Sequence, residues 1–119
     1  MYNGVERRKF PRVPVNLMVS YRPEVISGQF DLTRTKNISQ GGMLFTTKEA
    51  FKKGTYIRLS TNLPVGPYKI EEIAKVVDSV DSSLNEGLAK FYETRVCFLK
   101  LDRNSFQGLG ELVKKRLSK

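Results

Sequence analysis

The sequence predicts an all-β fold, an antiparallel sandwich or barrel that ends in a single α-helix. Three observations carry this. Residues 13 to 21 place apolar side chains at every second position. Short extended runs recur between Gly and Pro breaks, and the apolar spacing turns helical only after about residue 104. The chain has 119 residues, the size of one ordinary domain.

Val13, Val15, Leu17, Val19 and Tyr21 share one face of a strand. Pro14, with no N–H to give a ladder, marks the beginning of that strand or a sheet edge. Beyond Pro23 and Gly28, residues 29 to 38 read as a second strand with Phe30 and Leu32 turned inward. Gly41 and Gly42 make a tight turn into Met43–Thr47, and the Lys-Lys-Gly turn at 52 to 54 leads into Tyr56–Thr61. Tyr68–Val80 has partly helical spacing, but its β-branched content favours strand. A polar hairpin loop over 81 to 87 returns the chain as a long strand, Phe91–Leu101, with Phe91, Tyr92 and Phe98 in the core. Phe106, Leu109, Leu112, Val113 and Leu117 then form a helical stripe suited to packing on the sheet. Asn104 reads as its N-cap and Gln107 as the capping-box partner. Gly108 and Gly110 each cost about 1 kcal/mol against Ala, so the first turns depend on packing.

Composition narrows function. Twenty-one Lys and Arg against 12 Asp and Glu leave a charge of +9, which favours an anionic partner. The chain has no histidine and one cysteine, Cys97, so the usual zinc sites and the Ser-His and Cys-His nucleophile pairs are excluded. Cys97 reads as a buried structural thiol, and Asp78 and Asp81 as solvated residues flanking a loop. Lys114, Lys115 and Arg116 complement the C-terminal end of the helix. No run approaches the length of a membrane span and the N-terminus has no apolar signal region, so a cytoplasmic protein without membrane insertion is expected.

Two strings carry chemistry. The first is Glu6-Arg7-Arg8-Lys9-Phe10-Pro11-Arg12. Pro11 disfavours helix at Phe10, leaving an extended arm whose guanidiniums suit phosphates or the guanine O6/N7 edge. Taken alone, the string is more simply a solvated basic terminus. The second is Asn37-Ile38-Ser39-Gln40-Gly41-Gly42, short donors and acceptors beside flexible backbone, which alone is an ordinary turn.

Together, Arg8-x-x-x-Arg12 before a strand and Asn37-x-Ser39-x-x-Gly42 between strands resemble the PilZ domain of bacterial cyclic di-GMP receptors. The likeness runs from about Glu6 to Leu117. It implies a six-stranded antiparallel β-barrel with a C-terminal α-helix. A flexible arm over about 1–12, a barrel over about 13–101 and a helix over about 105–117 would make a single domain across 1–119. By position, Arg8 and Arg12 would grip phosphates and guanine edges and Asn37 would face a guanine. Ser39 would contact polar ligand atoms, while Gly42 shapes the turn. An arginine directly before the first motif arginine accompanies an intercalated ligand dimer in this family; Arg7 stands there, so two cyclic di-GMP per protomer are expected.

Two positions depart from the family pattern. Asn37 stands where Asp is frequent and offers one acceptor oxygen instead of two. Arg95 precedes Val96-Cys97-Phe98 where a glycine is frequent, which bears on the geometry of that strand.

The expected function is a cyclic di-GMP receptor without a cofactor. Its arm would order on the ligand and signal to a separate, unidentified protein. The alternative is a basic barrel binding single-stranded nucleic acid; clustering of charge in an arm and the absence of tryptophan argue against it. Without histidine or a P-loop string, no enzymatic activity is expected.

Overall fold

The computed structural model describes residues 10–25, 28–82 and 90–118. Strands β1 (Val13–Pro14), β2 (Met18–Pro23), β3 (Asp31–Ile38), β4 (Gly42–Thr47), β5 (Tyr56–Asn62), β6 (Lys69–Asp81) and β7 (Tyr92–Phe98) precede one described helix, α1 (Arg103–Leu117). Residues 1–9 of the arm and 83–87 of the expected hairpin loop lie outside the described residues.

Every strand pairing is antiparallel. The order β3-β2-β5-β6-β7-β4 returns to β3, closing a six-stranded barrel to which β1 adds an extra strand alongside β3. Closure leaves those six strands without an open edge. The strand expected over 13–21 is present as two pieces, β1 and β2, that follow one alternation: Val13, Val15, Val19 and Tyr21 are buried. Thr35 spans the break between them. Its Oγ1 donates to the Val15 carbonyl at 2.7 Å and accepts from the Leu17 N–H at 2.9 Å. Pro14 takes the expected edge position, opposite Asn37 on the outermost strand.

The barrel interior holds Tyr21, Ile38, Met43, Phe45, Ile57, Leu59, Ile70, Ala74, Val76 and Val96, all buried. Each large aliphatic or aromatic side chain among them contributes about 1.5–3 kcal/mol by leaving water. Hydroxyls of Thr47, Thr94 and Ser79 form a chain across β4, β7 and β6, with contacts of 2.8 and 2.7 Å. Helix α1 packs against β1 and β6 and adds Leu109, Leu112 and Val113 to the core.

Several local expectations are corrected. Up to Thr35 the inward phase is opposite to the one expected: Phe30 and Leu32 are exposed and Thr35 is buried, and a register shift after Thr35 then brings Ile38 inward. Phe30 instead lies under the Arg22 guanidinium, 5.0 Å from its carbon. A one-residue change of phase exchanges the faces of a strand, and the Thr35 bonds to Val15 and Leu17 hold this one. Strand β7 stops at Phe98, short of Leu101, and Phe91 is exposed rather than in the core.

The helix begins one residue before the expected cap. Asp102 is the N-cap, its carboxylate accepting from the Ser105 N–H at 2.7 Å, so Asn104 lies inside the first turn. Gln107 reaches forward to Glu111 at 3.4 Å instead of back to a cap. Phe106 and Leu117, at the margins of the stripe, are exposed. Lys114, Lys115 and Arg116 fill the last turn as expected. Among the described residues, no helix is long and apolar enough to cross a membrane.

Candidate functional site

A close backbone approach sets the floor of the site. Gly42 opens β4 opposite Cys97 of β7, and a Cβ on Gly42 would run into the Val96 carbonyl and lie 3.1 Å from the Cys97 Cα. A side chain at this position therefore forces the two strands apart. Just before it, Ser39 holds the turn from β3. Its Oγ accepts from the N–H groups of Gly41 and Gly42 at 3.0 and 3.2 Å, and its own N–H donates to the Gly42 carbonyl at 2.9 Å. A hydroxyl has two acceptor sites and one proton, so Ser39 keeps its proton for another acceptor.

A register shift in β3 between Thr35 and Asn37 aims the next group. Regular alternation puts Asn37 on the inner face beside Thr35; the extra residue turns it out while Ile38 remains buried. A matching shift in β6 between Val76 and Asp78 turns Asp78 out and pairs it with Arg95 of β7. Both shifts open onto one outer face of the barrel.

Arg12, immediately before β1, closes the far side. The segment leading to it is held by Phe10, whose ring meets Phe106 of α1 edge-on at 5.6 Å and lies against Gly41. The result is a cleft of about 240 Å³ lined by Phe10 and Arg12, by Asn37, Ser39 and Gly42, and by Val77, Arg95 and Cys97 across the strands. Two arginines thus line this outer cleft, and Asp78 Oδ1 stands 4.0 Å from Arg95 Nε. That arrangement is suited to an anion bearing planar rings: charge from arginine, donors and acceptors from Asn37 and Ser39, and flat backbone at Gly42. Among the described residues, no cluster of three or more metal-ligating side chains occurs.

Of the residues expected from sequence, Arg12, Asn37, Ser39 and Gly42 meet in this cleft, while Arg7 and Arg8 lie outside the described residues. Sequence reasoning missed Arg95, Val77 and Cys97. Cys97 is partly exposed in the cleft wall rather than buried. The available signal was the alternation of β7, which puts Arg95 and Cys97 on the face opposite to buried Thr94 and Val96. The neighbouring strand supplies the rest, and local sequence does not name that neighbour. Arg95 itself pairs regularly with Leu44, so β7 tolerates the larger residue and the distortion falls on β6.

The pattern of the PilZ domain matches residues 6–115. A search of curated proteins finds no match. Among solved structures, the inhibitor of motility MotI/DgrA of Bacillus subtilis is 24% identical with a TM-score of 0.75, covering 95% of this chain and 53% of its own. The PilZ domain of YcgR from Escherichia coli, solved with c-di-GMP, is 14% identical with a TM-score of 0.69, over 94% of this chain and 92% of that one. The MrkH–c-di-GMP complex of K. pneumonia gives 17% identity and a TM-score of 0.72, over 94% and 52%. This chain therefore spans about half the length of MotI and MrkH and nearly all of the YcgR domain. These likenesses establish the shared barrel. With the sequence pattern matched along almost its whole length, the chain belongs to the PilZ domain family.

Proposed function

We propose that this chain is a cyclic di-GMP receptor whose ligand sits in the outer cleft between Arg12 and the Asn37–Gly42 turn. The observation that carries the reading is the convergence of Arg12, Asn37, Ser39 and Gly42, far apart in sequence, on one cleft. Family membership and the c-di-GMP named in the YcgR and MrkH structures support it. In this reading Arg8 and Arg12 grip phosphates and guanine edges, Asn37 meets a guanine, and Ser39 donates its remaining proton. Arg7 supplies the further guanidinium for a second stacked ligand. The chain acts as one module: ligand phosphates draw in the arm before residue 12, and the altered surface is read by a separate protein.

The test is calorimetric titration with cyclic di-GMP beside GTP, cyclic GMP and an oligo-dT. Wild type should take up two cyclic di-GMP per protomer, and Arg7→Leu should fall toward one. Arg8→Ala and Arg12→Ala should each lose roughly ten- to a hundredfold in affinity, the worth of a charge-assisted hydrogen bond. Folded variants of both arginines that bind like wild type overturn the site.

A further inference from the structure

We propose that Arg95 is a ligand-contacting residue of the same cleft, a guanidinium supplied from β7 that takes a phosphate of the bound cyclic dinucleotide and lets go of Asp78 to do so. The proposal rests on the cyclic dinucleotide reading of the site.

Strand phase places Arg95 correctly for this. Thr94 and Val96 are buried in the barrel, so Arg95 between them faces outward, in the row next to the Gly42–Cys97 pair. Its side chain is 31% exposed and lines the cleft that Arg12 lines from the other side. An anion between them would meet positive charge on both flanks.

What holds Arg95 now is weak. The β6 bulge brings Asp78 to its row, but the Nε–Oδ1 separation is 4.0 Å and the Asp78 side chain is 53% exposed. A pair this long and this wet contributes little. A phosphate offers the guanidinium fork two short parallel bonds in place of one long contact, and exchange of carboxylate for phosphate leaves no charge stranded. Asp78 is already solvated and stays so. The bulge residue itself, Val77, lines the cleft beside Arg95 and supplies an apolar surface for a base.

The experiment is titration of full-length protein with cyclic di-GMP at low and moderate salt, using wild type, Arg95→Gln, Arg95→Lys and Asp78→Asn, each checked by thermal melting. Arg95→Gln should weaken binding about tenfold and flatten its salt dependence. Arg95→Lys, keeping charge but losing the fork, should fall between it and wild type. Asp78→Asn should bind more tightly than wild type, because the competing carboxylate is gone. Wild-type affinity and salt dependence in both Arg95 variants overturn the proposal and leave the receptor reading standing. Equal losses in folded Arg95→Gln and Asp78→Asn also overturn it, since they mark a pair that only braces the strands. A wild type that fails to bind cyclic di-GMP overturns the receptor reading itself.

Discussion

At the scale of single residues, the least replaceable part of the site is a hydrogen atom. Gly42→Ala places a methyl against the Val96 carbonyl, and the neighbour is backbone held in a ladder on both sides. Overpacking of this kind costs about 1–3 kcal/mol. The variant should melt several degrees below wild type whether or not ligand is present; a variant with unchanged melting removes the strand-approach explanation. The need for glycine here was legible in the Asn-x-Ser-x-x-Gly spacing, but its cause was not, because nothing around Gly42 in sequence announces Cys97 as its partner. Asn37 was likewise legible by type and obscure by orientation. Alternation from buried Thr35 would send it inward, and the register shift between Thr35 and Asn37, where β3 meets β4, is what reverses it. The inward assignment of Phe30 and Leu32 failed for a related reason. Buried threonine, satisfied by backbone partners, took the interior phase that hydropathy alone gives to Phe and Leu.

At the scale of elements, the helix illustrates how a correct period coexists with a misplaced boundary. Leu109, Leu112 and Val113 were readable as the buried stripe, yet the cap is Asp102. Both Asp102 and Asn104 are good capping types, and the choice falls to the residue outside the helix, where extended backbone lets the carboxylate reach Ser105. Ser105 then donates its hydroxyl to the Lys69 carbonyl at 3.2 Å, tying the first turn to β6. Asp102→Ala should therefore lower stability by about 0.5–2 kcal/mol, whereas Asn104→Ala should stay within about 0.5 kcal/mol of wild type. Chemical denaturation of the two variants distinguishes them, and a larger loss at Asn104 reverses the assignment. Gly108, an apparent weakness in the helix, is where α1 comes close to Tyr68 and Leu63. A Cβ there would lie 2.5 Å from the Tyr68 ring, which explains a residue that propensity disfavours.

At the scale of the whole molecule, the charge of +9 is an argument about partners and not about fold. Such a surface attracts any polyanion to some degree. A dT oligonucleotide should accordingly bind, but more weakly than cyclic di-GMP, and it should lose affinity steeply between about 50 and 200 mM salt, as phosphate contacts alone do. Competition between the two ligands decides the matter; an oligonucleotide that displaces cyclic di-GMP at moderate salt favours the nucleic-acid alternative. The all-β architecture was legible because short β-branched or alternating runs recur, several of them bounded by Gly or Pro, as at Pro23, Gly41-Gly42 and Gly54. Strand order was not, since ladders join segments that local sequence cannot relate. Family resemblance filled that gap for the barrel, and four of the residues it names, Arg12, Asn37, Ser39 and Gly42, line one cleft.

The β4–β7 ladder has a consequence in time as well as in space. Most neighbouring strands in the barrel are joined by comparatively short stretches of chain, while Gly42 and Cys97 belong to the ladder that pairs residues farthest apart in sequence. Closing that long loop must precede any reward from its contacts, and such pairings are the slow ones to form. The row bearing Gly42, Arg95 and Cys97 is thus the seam at which the wall is completed, and the cleft it lines takes shape only when the barrel has shut.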